Sequence, residues 1–338
     1  MNPVKQRLWN WLLVLVMLLA VLGLLTLSSC EKEEPLWELP PPGAEQTGRV
    51  AMGENYETTI YYKFSTQNSI ARNLNTWHLA LESKPDGWHI RINGGRAMQV
   101  WRTGTTNFDD SFTPSEQSNW DWDTPDGNED STAIGNWLTD TTGKQSQLQV
   151  YIVDMGLNAA NRYQKLQVLS VNDTSYTIKH ANTDNSNLHT VTIRKSGIST
   201  YTYFDLTTNT VADYEPAPEL YDIKFERYRY VFIEDGIPTP YLVNGALLNT
   251  VNTSAVRLSS TNFDSISYDM IKDIPLSIKN DTIGYDWKYY DFDLSLYTIA
   301  PNLFVVKDRE GNYWKLQFYD FYNDSGIKGY PTFKFQRL

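Results

Sequence analysis

Six short segments of this chain recur in the same order, 142 to 156 residues after their first appearance. YYKFST at Tyr61–Thr66 returns as YFDLTT at Tyr203–Thr208, and TWHLALE at Thr76–Glu82 as LYDIKFE at Leu220–Glu226. Ile92-Asn93-Gly94 returns as Val243-Asn244-Gly245, and Thr-Asn-Phe-Asp occurs at both 106–109 and 261–264. YQKLQV at Tyr163–Val168 matches YWKLQF at Tyr313–Phe318, and SYTIKH at Ser175–His180 matches PTFKFQ at Pro331–Gln336. Preserved order at a nearly constant spacing is the signature of duplication. Within the segments, apolar and polar residues alternate, and Gly, Pro, Asn and Asp punctuate them, as at Pro85-Asp86-Gly87. That period of two predicts antiparallel β-strands and little helix. The expectation is an all-β, mostly antiparallel protein of two tandem domains, residues 50–195 and 196–338, meeting near Lys195–Ser199.

Upstream, Lys5 and Arg7 precede the apolar run LWNWLLVLVMLLAVLGLLTL, with no further charge until Glu31. A basic start, an apolar stretch and small residues at its end describe a secretory leader. Leu27-Ser28-Ser29-Cys30 resembles the bacterial lipobox, in which cleavage precedes the cysteine and its thiol takes the lipid. Residues 1–29 are therefore expected to be a lipoprotein signal peptide, and Cys30, the only cysteine, the lipidation site. Glu31-Lys32-Glu33-Glu34 resembles the acidic signal that sends some Gram-negative lipoproteins to the outer face of the outer membrane. Residues 30–49 carry Pro35 and Pro40-Pro41-Pro42 and read as an extended, semi-rigid tether.

Removing Lys5 and Arg7 with the leader takes the net charge from −11 to −13. Such a chain repels phosphate backbones and has no basic stripe, which argues against nucleic acid as a partner. With Cys30 committed to lipid, no disulfide is available and the fold is held by burial alone. Aromatic residues make up 14% of the chain, a composition that suits strands and surfaces for flat ligands. No HExxH, G-x-S-x-G, phosphate-binding glycine loop or dinucleotide fingerprint is present, and the expectation is a binding protein rather than an enzyme.

The order of segments resembles the HmuY-like haem-binding lipoproteins. The second copy supplies YDIKFERY (Tyr221–Tyr228), AVRLSSTNFD (Ala255–Asp264), LFVVKDREGNYWKLQFYDF (Leu303–Phe321) and KGYPTF (Lys328–Phe333). The first supplies NTWHLAL (Asn75–Leu81) and TNFD, with Asp154–Arg162 in place of the family's Asp-Gly turn. The resemblance implies an all-β fold, haem as a ligand, and delivery to an outer-membrane receptor of the TonB-dependent type. It also implies axial His or Met ligands on loops between the Thr-x-x-Asp segment and the Val-rich strand. In the second copy that region, Asp264 to Phe304, holds no His and only Met270, with Tyr290 near the second ligand position. The first copy's counterpart, Asp110 to Val150, holds neither His nor Met. Met270 and Tyr290 are thus the candidate haem ligands.

Other residues could bind without iron. NWDWDTPDGNEDS, Asn119–Ser131, sets Trp120 and Trp122 among carboxylates, an arrangement suited to stacking a sugar or capping a flat ligand. Its acids do not follow the EF-hand order, so no metal is expected there. His78, His89, His180 and His189 show no spacing that requires a shared metal. The rival expectation is therefore an accessory or adhesive surface lipoprotein that binds glycan or protein through aromatic loops and has no haem site.

Overall fold

A computed structural model describes residue 7, residues 9–17 and residues 41–338 except 143, 250, 260 and 261. Residues 9–17, within an N-terminal unit Met1–Pro41, are helical. Among the described residues no helix is long and apolar enough to cross a membrane. Cys30 lies outside the described residues.

Residues Pro42–Leu338 form one unit containing two β-lobes. Lobe one has a six-stranded sheet: β6 (Gln99–Arg102), β7 (Trp120–Asp121), β10 (Val150–Asp154), β11 (Tyr163–Val171), β12 (Ser175–Asn182) and β13 (His189–Arg194). Its second sheet has β4 (Leu79–Glu82), β5 (Ile90–Ile92), β14 (Tyr201–Asp205) and β15 (Thr210–Ala212). A small ribbon, β8 (Leu138–Asp140) with β9 (Gln145–Ser146), completes it. Lobe two has a five-stranded sheet: β1 (Gln46–Arg49), β18 (Ser254–Leu258), β21 (Leu303–Lys307), β22 (Tyr313–Tyr322) and β23 (Lys328–Arg337). Its four-stranded partner contains β2 (Thr58–Tyr62), β3 (Ser69–Asn73), β16 (Ile223–Glu234) and β17 (Ile237–Leu248), and a further ribbon pairs β19 (Lys288–Asp291) with β20 (Leu296–Ile299). Every strand pair is antiparallel, as the alternation predicts.

Alternation places each four-stranded sheet between two apolar layers. Leu79 and Leu81 of β4 and Phe204 of β14 enter lobe one's core, while Ala80, Tyr201 and Tyr203 point the other way. Ile60 and Tyr62 of β2 enter lobe two's core, and Tyr61 points away. The outward residues meet in a tyrosine-rich seam of Trp77, Tyr201, Tyr203, Tyr214, Tyr221 and Tyr61. Buried hydroxyls there mostly find partners, although that of Tyr61 has none. Tyr214 bonds Thr59 at 2.6 Å and donates to Glu226 at 3.2 Å, and Tyr221 donates to Glu215 at 2.9 Å. Gly95 allows the close approach of lobe two at the seam's edge, since a Cβ there would lie 2.3 Å from the Arg227 carbonyl oxygen.

The expected boundary near Lys195–Ser199 falls between β13 and β14, both in lobe one. Strands cross it in both directions: β14 pairs with β4, β2 with β16, and β1 with β23. The two cores are therefore not divided at residue 195. Lobe one is the continuous run β4–β15, and lobe two joins β1–β3 to β16–β23.

Matched segments make matched contacts. Lys165 Nζ donates to the carbonyl oxygen of Phe108 and lies 4.7 Å from its ring centroid; Lys315 Nζ does the same to Phe263, at 4.6 Å. A second ammonium lies over each ring, Lys179 at 4.3 Å and Lys334 at 4.2 Å. Two of the sequence matches shift. Val168↔Ile178 and Phe318↔Phe333 set Ser175–His180 against residues 330–335, one position before the expected Pro331–Gln336. Asn93 and Asn249, rather than Asn244, do the same work: each side-chain amide donates to two carbonyls, Leu74 and Trp77 in one lobe, Pro218 and Tyr221 in the other.

Candidate functional site

Lobe two projects two hairpins. β16 pairs with β2 only at Ile223, Lys224 and Phe225, and beyond them β16 and β17 continue alone to the turn Asp235-Gly236. Both turn residues have positive φ, +51° and +80°, as a two-residue hairpin turn requires. Beside this ribbon runs β19–β20. Tyr285 connects them, its ring 4.9 Å from Tyr230 and 5.7 Å from Phe232. The tips expose Ile233, Ile237 and Tyr241 on one hairpin and Tyr289, Tyr290, Phe292 and Leu294 on the other, with Phe292 85% exposed. Exposed apolar side chains are concentrated on these two hairpins, as they are on many interaction surfaces.

Tyr290 belongs to this face. It packs edge-on against Phe292 at 5.1 Å and Tyr297 at 5.3 Å, and is 41% exposed. Burial is the main cause that raises the Tyr297 phenol above its ordinary value; the neighbouring Tyr56 opposes it, and Tyr322, Tyr290 and Tyr241 add to it. Beneath, Lys288 is buried, donates to the Asn244 carbonyl at 2.7 Å and lies 4.2 Å and 4.6 Å from the Trp287 and Phe321 rings. Burial pushes its ammonium down to about 7, which Asp286 only partly offsets. Met270 does not join this group. It is 52% exposed on the helical turn Tyr268–Ile271, whose Ile271 packs with Phe263, Ile266 and Leu303. The two candidate haem ligands thus sit on separate clusters of lobe two.

Trp120 and Trp122 lie in lobe one and are both half-buried. Trp120 pairs with Trp101 across β6–β7, donates its indole N–H to Ser115 at 2.9 Å and stacks on Tyr163 at 5.8 Å. The Arg162 guanidinium covers Tyr163, and Arg229 of lobe two covers Trp122. With Glu116, Asn119 and Pro240 these rings line a depression of about 370 Å³. The acidic loop is less exposed than its composition suggests. Asp123 is half-buried and accepts from the Ile92 and Ala133 N–H groups, while Asp126 accepts from Thr124 and Asn128.

The histidines serve the fold. His78 pairs with Asp205, and His89 with Glu82 at 2.8 Å. His180 and His189 are cross-strand partners that stack at 5.3 Å, a proximity the linear spacing hides, and His180 bonds Asn209. Among the described residues two groups have cation-binding spacing, Glu82–His89–Glu129 and Asp222–Asp308–Glu310. An ammonium already sits on each: Lys84 on Glu82 at 2.7 Å and Lys63 on Glu310 at 2.9 Å. Burial alone would raise Glu82, but hydrogen bonds from His89 and Lys84 prevail and hold it down to about 2. A groove of about 1350 Å³ runs past these groups and mixes Lys84, Lys279 and Arg309 with Glu129, Asp308 and Glu310, so it favours neither sign of ligand.

Two antiparallel β-lobes with aromatic faces define a protein of the all-β class. The HmuY family profile matches residues 55–335, and the chain belongs to that family. Membership agrees with the expectation of a binding protein and not an enzyme. No curated protein matches the sequence. Among solved structures it is similar to apo PinO from Porphyromonas gingivitis, at 12% identity, 87% of this chain and 97% of that one, and a TM-score of 0.34. It is also similar to a Tannerella forsythia apo HmuY analog (11% identity; 89% and 98% covered; TM-score 0.27). A third match is a putative HmuY-like heme binding protein from Bacteroides vulgatus (12% identity; 86% and 90% covered; TM-score 0.23). Scores this low fix no superposition, and membership rests on the family match.

Proposed function

We propose that this protein is an outer-membrane lipoprotein, anchored through Cys30 and facing the exterior, that captures haem or a similarly flat ligand and passes it to an outer-membrane receptor. The observation that carries the reading is the aromatic face formed by β16–β17 and β19–β20, in a chain of the HmuY family. Rings at Tyr241, Tyr285, Tyr290 and Phe292 offer apolar area for a macrocycle, and a tyrosinate is a known type of haem ligand. Tyr290 is the candidate ligand on that face; Met270 stands apart from it.

Titrating haemin into the detergent-solubilised protein tests the reading, and a shifted, saturable Soret band is the expected result. Tyr290→Phe keeps the ring and removes the oxygen. If Tyr290 ligates iron, this change moves the band; if it only stacks, the band stays and Tyr290→Ala weakens binding. Met270→Ala leaves the spectrum unchanged. No Soret shift with ferric or ferrous haem rejects haem as the ligand.

A second reading is favoured by the depression at Trp120, Trp122 and Tyr163, where rings lie beside Asn119, Glu116 and Arg162. Aromatic faces bordered by amide, carboxylate and guanidinium groups suit a pyranose. Binding to immobilised glycans that Trp120→Ala abolishes, without any haemin response, would identify the protein as an accessory or adhesive lipoprotein.

A further inference from the structure

Three carboxylates converge in lobe two. Asp222 immediately precedes β16, Asp308 follows β21, and Glu310 lies in the turn to β22. One oxygen from each lies within 4.8 Å of the others. Asp222 and Asp308 are only 1% and 2% exposed, so water does little to screen their repulsion. Lys63 sets one positive charge against the three negative ones. Its Nζ lies 2.9 Å from Glu310 but 3.6 Å from Asp222 Oδ1, too far to donate to it. The cations beside Asp308 in sequence turn elsewhere, Arg309 to Glu219 at 3.8 Å and Lys307 to the Tyr313 ring at 5.4 Å.

The oxygens themselves are held as ligands are held. Asp308 Oδ1 accepts from the Asn312 N–H at 2.8 Å, and its Oδ2 from Asn312 Nδ2 at 2.9 Å and the Trp314 indole at 2.8 Å. These neutral donors orient the carboxylate without cancelling its charge, as the outer partners of metal ligands do. Asp222 Oδ2 accepts from the Phe64 N–H at 2.7 Å, whereas Oδ1, on the Lys63 side, takes no hydrogen bond from the protein. A second buried oxygen is in the same condition. Thr253 is 4% exposed, and its Oγ1 has no hydrogen bond. Thr253 precedes Ser254, whose ladder partner Lys307 precedes Asp308, and it lines the same groove as Asp308 and Glu310.

We propose that Asp222, Asp308 and Glu310 bind a calcium ion, with Thr253 as a further oxygen donor and Lys63 releasing Glu310 as the ion enters. An all-oxygen set selects a hard cation, and the surplus of two negative charges selects a divalent one. Oxygens spread over as much as 4.8 Å suit Ca²⁺, which holds them at about 2.3–2.6 Å in irregular geometry. Mg²⁺ needs about 2.1 Å and a regular octahedron. The Glu310 side chain is 44% exposed and opens the site to the groove of about 1350 Å³, which gives the ion its way in. The bound ion would tie the start of β16 to the β21–β22 turn. The inference stands on these residues and is independent of haem.

The test uses the detergent-solubilised full chain, stripped with EDTA. Calcium at roughly a hundred times its Kd is expected to raise the Tm by roughly 5 °C. Terbium(III) in place of calcium is expected to luminesce when Trp314 is excited, and added calcium to displace it. Asp222→Asn keeps the shape, removes the buried charge and abolishes both signals. Glu310→Gln, on the exposed side, lowers calcium affinity roughly tenfold and serves should Asp222→Asn fail to accumulate. Lys63→Met removes the competing ammonium and raises the affinity roughly tenfold. Equal Tm values in calcium and in EDTA overturn the proposal. So does a calcium response that Asp222→Asn and Glu310→Gln leave intact, since surface carboxylates would then be its source. An equal response to Mg²⁺ overturns the choice of ion.

Discussion

Lobe one fills its core mainly with Leu, Ile and Val, among them Leu79, Ile90, Leu166, Val168 and Ile178, beside the rings of Trp137, Tyr151, Tyr176 and Phe204, and joins β4 to β5 by a short turn at Pro85-Asp86-Gly87. Lobe two fills the same position in the plan with rings, Phe225, Trp287, Phe304, Phe318, Phe333 and Phe335, and extends its corresponding hairpin into the β16–β17 ribbon. The shared strands, docked hairpins and Lys-over-Phe contacts hold the architecture. The longer hairpins and exposed rings of lobe two are surplus to it. A scaffold kept in both lobes and elaborated in one is the reason the proposed binding surface is assigned to lobe two.

The largest effect comes from the cores. Phe318 is buried and stacks on Trp287 at 4.1 Å, whereas the matched residue of lobe one is Val168. Phe318→Ala is expected to cost about 4 kcal/mol and Val168→Ala about 2 kcal/mol, read by urea denaturation. Because strands cross between the halves, both variants shift one common transition. Two separate transitions would break the account of interlaced lobes.

The next difference is one of pH. Lys288 in lobe two has its pKa lowered from 10.5 to about 7 by burial. Between those values the unfolded chain binds a proton that the folded chain does not, so stability rises with pH across that window. The slope is about 1.4 kcal/mol per pH unit from this group. Lys288→Met removes that part of the slope, and an unchanged slope in pH-dependent denaturation contradicts the assignment.

Where the lobes match, equal effects are expected. Lys165→Met and Lys315→Met each leave carbonyl oxygens without a donor, and each is expected to cost about 2 kcal/mol; Tm values differing several-fold in loss would weaken the equivalence. The smallest effect is at Trp120, whose half-buried ring completes no core. Trp120→Ala is expected to cost below about 1 kcal/mol, and a large loss of stability would make it a packing residue.

Much of the fold is legible in the sequence. Alternation identifies strands, and recurrence of YQKLQV as YWKLQF and of TNFD identifies equivalent pieces. Alternation does not say which strand a given strand pairs with, so the crossing of β2 and β14 to the other half of the sequence was hidden. The one-residue slip at Ser175–His180 arose where similar residues fit either register, and the β16–β17 extension moved Asn93's counterpart from Asn244 to Asn249. The site was less legible. Met270 and Tyr290 share one segment, but that segment folds onto two clusters, the Phe263 group and the Tyr297 group. Trp120 and Trp122 could be singled out by their acidic setting, but their partners Tyr163, Arg229 and Pro240 come from distant strands.

Hydrogen exchange with and without haemin tests the placement of the ligand most directly. The account predicts protection at the tips of β16–β17 and β19–β20, with the β4–β5 turn and the Trp120–Trp122 segment unchanged. Protection confined to lobe one, or none anywhere, would contradict it.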